Sequence, residues 1–342
     1  VSYQEFEARS NRVAHYLADK GLGFQDHYSI FMENNNRYLE SCAAGERSGL
    51  YFTCINSFLT SDELAYIINN SESQILITSM SKLEAAQEAL AQCTAIKEVL
   101  VVGAGDADLP EGMSDFASTL SKYPETPLER ELLGAAMLYS SGTTGRPKGI
   151  VRPLPEQSPN EPLPVIGFLS GLWRYREDMI YLSPAPLYHS APQAAVGLTL
   201  RMGGTVVIME RFDPADYLRF VEEYQVSHSQ LVPTMFSRML KMPEEDRTKY
   251  DLSSLEVAVH AAAPCPVLVK QQMIDWWGPI IHEYYGATEG LGFAACDSAE
   301  WLAHPGTVGK IVLGELSVLD DDMQPMPKGE PGTLWFKSAS EF

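Results

Sequence analysis

Short β-rich runs separated by helical stretches recur along this chain, and that alternation limits the fold more than any other feature. Gln74-Ile-Leu-Ile-Thr78 and Val99-Leu-Val-Val102 are two such runs, and a helical stretch from Ser81 to Gln92 lies between them. Parallel strands need a crossover of this kind, so the rhythm predicts a parallel sheet. Ala135-Ala-Met-Leu138, Met179-Ile-Tyr-Leu182, Thr205-Val-Val-Ile-Met209, Ser227 to Val232 and Glu256 to His260 continue it. Ser2-x-x-Glu5 and Thr60-x-x-Glu63 have the form of capping boxes. Each precedes apolar residues at helical spacing, Phe6, Val13 and Leu17 in one case and Leu64, Ile67 and Ile68 in the other. Asp213-Pro214 supplies a cap with proline at the first helical position. The prolines between Pro153 and Pro164 mark a loop. After Gly306 the helical signal ends, and Ile311 to Leu319 and Gly332 to Lys337 read as antiparallel strands around Met326-Pro327-Lys328-Gly329. The fold class that follows is α/β, with helices over both faces of the sheets.

At 342 residues the chain exceeds one ordinary domain, so two or three subdomains are expected. The formal charge of −20 would repel nucleic-acid phosphates, which excludes that partner class. Any anionic cofactor must then be met by local cations and metal. No apolar run is long enough to span a membrane, and no signal peptide opens the chain. Cys42, Cys54, Cys93, Cys265 and Cys296 lack CxxC spacing, so they read as reduced thiols of a cytoplasmic protein. The chain opens on Val1 directly into a helix, as an excised piece of a longer protein would.

Chemistry is densest in Tyr139-Ser140-Ser141-Gly142-Thr143-Thr144-Gly145-Arg146-Pro147-Lys148-Gly149. Glycines let backbone N–H groups close on an anion, hydroxyls add donors or divalent-cation ligands, and the lysine adds a point charge. The stretch reads as phosphate handling. It is no Walker loop, because Pro147 stands where the second glycine belongs and Gly149 follows the lysine. It is no dinucleotide fingerprint either, since no Gly-x-Gly-x-x-Gly opens a helix here. Glu283-Tyr284-Tyr285-Gly286-Ala287-Thr288-Glu289-Gly290 follows Pro279-Ile-Ile281, which is expected to place it just past a strand's C-terminal end, where α/β sheets bind ligands. It offers an aromatic face, a close-approach glycine, a hydroxyl and a carboxylate. On its own it reads equally as a structural loop.

Together these two stretches resemble the ATP loop and the Tyr-Gly-x-Thr-Glu signature of the adenylate-forming superfamily, which includes acyl-CoA synthetases, peptide-synthetase adenylation domains and luciferases. The resemblance implies a large N-terminal domain with two mainly parallel sheets sandwiched by helices, an αβαβα order, and the start of a small β-barrel. The boundaries expected are residues 20–170 for the first sheet, 1–19 with 175–300 for the second, and 305–342 for the partial barrel. It also implies roles. Ser140, Ser141, Gly142, Thr143, Thr144, Gly145 and Lys148 would hold the phosphates of ATP. Tyr285 would stack on adenine, with Glu283, Tyr284 and Gly286 beside it, and Thr288 would bond the α-phosphate. Glu289 and Thr143 would hold Mg²⁺. Ala261-Ala262-Ala263-Pro264 matches the loop over the other adenine face, although a tight turn is an equally true description.

Pro186-Leu187-Tyr188-His189 matches the segment beside the acyl carboxylate and thioester tunnel. Amino-acid-activating relatives usually carry aspartate at the last position, so His189 favours a plain carboxylic acid. From the residues alone His189 reads as a core histidine, and His260, His282 and His304 lack ligand spacing and are left structural. Gln193 stands where some long-chain enzymes carry a tryptophan gate. Ala191 to Leu198, Val232 to Phe236 and Gly290-Leu291-Gly292 are acyl-pocket candidates, apolar enough for a lipid-like acid. The ribose-gripping aspartate is expected beyond Trp335-Phe336-Lys337, and with the lid domain and its lysine it is not found by Phe342. The function implied is acid–CoA ligation through acyl-AMP, with ATP, Mg²⁺ and coenzyme A as cofactors. An adenylation domain loading an acyl carrier protein and a non-catalytic binding module of the same fold are the alternatives; a homodimer stays open. Loss of Lys148, Thr288 or Glu289 would mark the last of these, and all three are present.

Overall fold

Helix α1 (Tyr3–Asp19) begins where the capping box places it: the Ser2 hydroxyl accepts from the Glu5 N–H and the Glu5 carboxylate accepts from the Ser2 N–H. Its stripe of Val13, Ala14 and Leu17 is fully buried. The computed structural model describes residues 1–140, 146–287 and 290–337. The chain divides into two compact units, Val1–Ile166 with Pro186–Gln193, and Gly167–Ala185 with Ala194–Phe342.

The first unit is built on strands β1 (His27–Phe31), β2 (Tyr51–Cys54), β3 (Ile75–Ser79), β4 (Glu98–Val102), β5 (Met113–Asp115), β6 (Ala135–Ser140) and β7 (Lys148–Ile150), in the order β5-β4-β3-β1-β2-β6-β7. Every neighbour pair is parallel except β6–β7. β1 and β2 have no counterpart among the runs read from the sequence. Phe31 and Phe52 are fully buried, and strands covered on both faces show no alternation to read. α1 was expected with the second sheet. It instead packs on α2 (Asn36–Ser48) and on the helix Phe116–Leu120 inside the first unit. Polar ties on its rim select that partner: Arg47 meets Glu7 at 2.6 Å and Asn11 donates to the Glu125 carbonyl at 2.7 Å.

The second unit carries β8 (Ile180–Ser183), β9 (Thr205–Ile208), β10 (His228–Leu231), β11 (Val257–His260), β12 (Ile281–Gly286), β13 (Phe293–Cys296) and β14 (Lys310–Leu313), in the order β14-β13-β12-β11-β10-β8-β9. Strands β8 to β12 are parallel, and β13 and β14 join antiparallel. Residues 310–313 were expected in a barrel and belong to this sheet instead. Gly309, at φ 96°, makes the turn, because any Cβ there would strike the Ala295 backbone. Gly314, at φ 80°, then ends β14, and β15 (Glu315–Leu319) pairs with β16 (Thr333–Lys337) as a separate two-stranded sheet. Two mainly parallel sheets with helices are thus present, as the alternation required. Among the described residues no helix is long and apolar enough to cross a membrane.

Candidate functional site

The phosphate-loop residues sit at the one antiparallel edge of the first sheet. β6 and β7 form a hairpin in register Leu138↔Ile150, Tyr139↔Gly149 and Ser140↔Lys148, so Ser140 and Lys148 face each other where the loop leaves the sheet. Lys148 is exposed and Ser140 half-buried. Ser141, Gly142, Thr143, Thr144 and Gly145 lie outside the described residues. Helix α3 (Ser61–Asn70), started by its own capping box at Thr60, braces both arms. The Tyr66 hydroxyl donates to the Pro147 carbonyl at 3.1 Å, and the Tyr139 hydroxyl donates to Asn70 Oδ1 at 2.7 Å. The Arg146 guanidinium lies 4.9 Å from the Tyr66 ring centroid, and cation–π attraction holds it there. Gly149 has a packing reason as well, since a Cβ would run into the Met137 side chain. Tyr66 and Asn70 were not singled out in the sequence. Their signal is weak, two polar residues on a helix far from the loop they hold.

The Tyr-Gly stretch was expected past the end of a strand, but Glu283, Tyr284, Tyr285 and Gly286 form the last residues of β12 itself. β12 runs antiparallel to β13, and that pairing extends the strand through the motif. Alternation along β12 then divides its residues. Tyr285 is 44% exposed, with its ring stacked 5.9 Å from Phe336. Tyr284 points the other way into an aromatic cluster, 4.7 Å from Phe293 and 5.4 Å from Trp173, and its hydroxyl accepts from Gln230. Its ring is therefore engaged in packing. Glu283 is engaged too. Its Oε2 meets Lys270 Nζ at 2.5 Å and lies 3.4 Å from His260 Nε2, all three side chains being buried. The much shorter contact makes Lys270 the ion partner. Burial pushes the Glu283 carboxyl up, but His260 and Lys270 outweigh it and hold its pKa below the ordinary value. Burial keeps His260 low and hence neutral. What Glu283 offers a ligand is backbone. Thr288 and Glu289 lie outside the described residues.

Ala261, Ala262 and Ala263 follow β11 directly. Ala261 is buried, while Ala262 and Ala263 are exposed, and Ala262 takes φ 73°, unusual for a residue with a side chain. In the first unit, the Leu187 N–H donates to the buried Asn34 Oδ1 at 2.9 Å and pins the segment ending at His189. His189 is exposed, not a core histidine, and stands 4.4 Å from the Tyr188 ring. Partial desolvation lowers its pKa, so the imidazole is neutral at pH 7. Among the acyl-pocket candidates, Met235 and Phe236 are core residues of the second unit, whereas Leu291 is exposed. The Trp173–Tyr284–Phe293 cluster went unread.

Among the described residues no group of three or more His, Cys, Asp or Glu is placed to hold a metal. The residues expected to ligate Mg²⁺, Glu289 and Thr143, lie outside that set. A carboxylate and a hydroxyl are the hard oxygen donors this ion takes.

Comparison with known proteins gives the family. The chain is 25% identical over 339 residues to the medium/long-chain-fatty-acid–CoA ligase FadD8 of Mycobacterium tuberculosis, covering 95% of this chain and 58% of that one. It is 28% identical over 359 residues to the 3-oxocholest-4-en-26-oate–CoA ligase of Rhodococcus rhodochrous, covering 97% and 63%. The chain thus spans about three fifths of the length of these relatives. ATP-bound MatB from Rhodopseudomonas palustris superposes with a TM-score of 0.77 at 24% identity, covering 99% of this chain and 65% of that one, which is a likeness of fold. The family model for AMP-binding enzymes matches residues 1–342, and the chain belongs to that family.

Proposed function

We propose that the full-length protein is an AMP-forming acid–CoA ligase acting on a lipid-like carboxylic acid. In the first step a carboxylate oxygen attacks the α-phosphorus of ATP and pyrophosphate leaves. In the second the CoA thiolate attacks the acyl carbonyl and AMP leaves. The observation that carries the reading is the pair of hairpins. One presents an exposed lysine and a hydroxyl at the mouth of a glycine-rich loop, the other an exposed tyrosine beside a glycine. Lys148 and the Ser140–Gly145 hydroxyls and backbone would hold the phosphates, Tyr285 and Ala261–Ala263 the adenine, and Thr288 the α-phosphate. Glu289 and Thr143 would hold Mg²⁺, which when bound supplies charge neutralisation at the phosphates. These groups position the reactants and offset charge. A neutral His189 leaves the acyl carboxylate unopposed by a second carboxylate. The substrate class follows these relatives, a medium/long-chain-fatty-acid–CoA ligase and a 3-oxocholest-4-en-26-oate–CoA ligase. The cysteines are free thiols, which suits the cytoplasm.

The resemblance places the ribose carboxylate and the lid lysine outside residues 1–342, so this stretch alone should bind an acyl-adenylate and turn over little. The test uses full-length protein and a panel of medium-chain, long-chain and sterol acids, following pyrophosphate release and then thioester formation with CoA. Acid-dependent pyrophosphate release with CoA-dependent thioester is the expected result. Release without CoA use but with loading of a carrier protein would favour the carrier reading. Adenine-nucleotide binding without release for any acid would leave a binding module.

A further inference from the structure

In the second unit a buried lysine and a buried neutral histidine converge on a single carboxylate oxygen. His260 ends β11, Lys270 lies in the helix Val267–Trp277 that follows, and residues 261–266 connect the two. Glu283 pairs with His260 in the β11–β12 ladder, and its Oε2 is the atom on which Lys270 Nζ and His260 Nε2 converge at 2.5 and 3.4 Å. The helix end of the connecting loop is therefore tied to a side chain of β12 by the Lys270–Glu283 ion pair, and its strand end is held to β12 by the β11–β12 ladder, with the neutral His260 ring lying against Glu283. Tyr285 stands two residues further along that strand, on the same face. The loop itself has little freedom to relax, because Ala262 is held at φ 73° and Pro264 and Pro266 fix their own φ. Lys270 is fully buried, its Nζ 5.1 Å from the Trp301 ring, so the ion pair acts in a dry, low-dielectric surrounding.

We propose that Lys270 and Glu283, with His260, are positioning residues for nucleotide binding: they staple the Ala261–Ala263 loop to the strand that presents Tyr285, and so set the two surfaces that receive the purine. This rests on the functional reading above. No atom of the trio needs to touch the ligand. The loop and the tyrosine are the contacts, and Glu283 fixes their spacing. Removing the staple should weaken purine binding and leave the acid and the chemical step nearly untouched.

The test uses full-length protein in two variants. Glu283→Gln strips the charge from the shared oxygen. Lys270→Met with Glu283→Gln removes both charges together and stays informative if the single variant does not fold. AMP binding is read by calorimetry, and acid-dependent pyrophosphate release gives KM for ATP, KM for the acid and kcat; melting temperature controls for fold. The expected outcome is a rise of about tenfold in the AMP Kd and the ATP KM. kcat and the acid KM should stay within about twofold, and the double variant should be no worse than the single. A folded double variant with unchanged AMP Kd overturns the proposal. So does a loss in which ATP KM, acid KM and kcat worsen together with the melting temperature, the mark of a merely structural ion pair. If the wild-type protein binds AMP but releases no pyrophosphate, the ligase reading fails and the calorimetric arm still decides this one. A wild-type protein that binds no AMP sinks both.

Discussion

The two signature hairpins each stand where a parallel sheet turns antiparallel, and they are held in opposite ways. The change comes at β6–β7 in the first unit and at β12–β13 in the second. The β6–β7 hairpin is braced from outside by neutral groups, the Tyr66 hydroxyl and the Asn70 amide, while its lysine stays exposed. The β12–β13 hairpin is braced from within, by a buried ion pair on one face and an aromatic cluster on the other. The difference follows the ligand each would receive. A phosphate brings its own charge and needs a free cation to meet it, so spending Lys148 on a structural partner would defeat the site. An adenine ring is neutral and brings no strong field, so its two walls must be set in advance by the protein.

The sharpest way to break that comparison is Lys148→Ala in the full-length protein. An exposed lysine contributes little to the fold, so the melting temperature should move by no more than about 1–2 °C. Pyrophosphate release should fall by about 10²–10³, as for loss of one donor to developing charge. A large drop in melting temperature with little change in rate would show that Lys148 braces the hairpin, and the contrast between the two turns would be gone.

Acid should separate the hairpins next. The aromatic cluster behind Tyr284 leans on Trp173, whose carbonyl is 3.0 Å from His228 Nε2, and Ser227 Oγ is 2.8 Å from the other ring nitrogen. Burial lowers the His228 pKa to about 4, outweighing the Trp173 carbonyl bond that raises it. The unfolded chain takes up that proton near pH 6.5 and the folded chain does not, so stability falls as pH falls from 7 toward 4. At pH 5 the loss from this residue is about 2 kcal/mol. Hydroxyl and amide braces have no proton to gain there, so the first hairpin is spared. All five tryptophans lie in the second unit, so urea unfolding followed by their fluorescence reports on it. The difference between pH 8 and pH 5 should shrink by most of that amount in His228→Gln, leaving a smaller slope from His260 and His282, which burial also lowers. An unchanged slope would move the acid-sensitive group elsewhere.

What could be read beforehand divides along the same line. Glycines, hydroxyls and the lysine of 139–149 act through local backbone and charge, so order along the chain shows them. The capping boxes at Ser2 and Thr60 are local too, and both are formed. Partnership is a different matter. α1 carries its apolar stripe plainly, but nothing within its own sequence says which sheet edge it will cover, and the ties that decide it come from Arg47 and Glu125. β1 and β2 are short and buried, so neither length nor alternation marks them. Lys270 was not singled out, because it sits beside the exposed Val267 and Leu268 and its partner Glu283 becomes visible only when β11 and β12 pair. Glu283 itself shows how a signature can mislead, since the motif position was legible and the direction of its side chain was not.

The smallest effect sharpens the comparison most finely. Tyr66→Phe deletes one hydroxyl and keeps the ring on which Arg146 rests, so it removes the 3.1 Å bond to the Pro147 carbonyl and nothing else. Pro147 is only half-buried, and water can reach its carbonyl once the phenol is gone. The stability cost should therefore be about 0.5–1.5 kcal/mol. Its consequence for binding depends on how tightly the arm is held by what remains, the Tyr139–Asn70 bond on the other strand and the three-residue register with β6. With those intact, the ATP KM should rise by no more than about threefold, or 0.65 kcal/mol, and kcat should be unchanged. Asn70→Ala alone should do about the same, and the two together should exceed the sum, because only then do both arms lose their outer support. A Tyr66→Phe defect as large as that of Lys148→Ala would mean that the phenol meets the ligand itself, and the first hairpin would then be braced by its substrate and not by its neighbours.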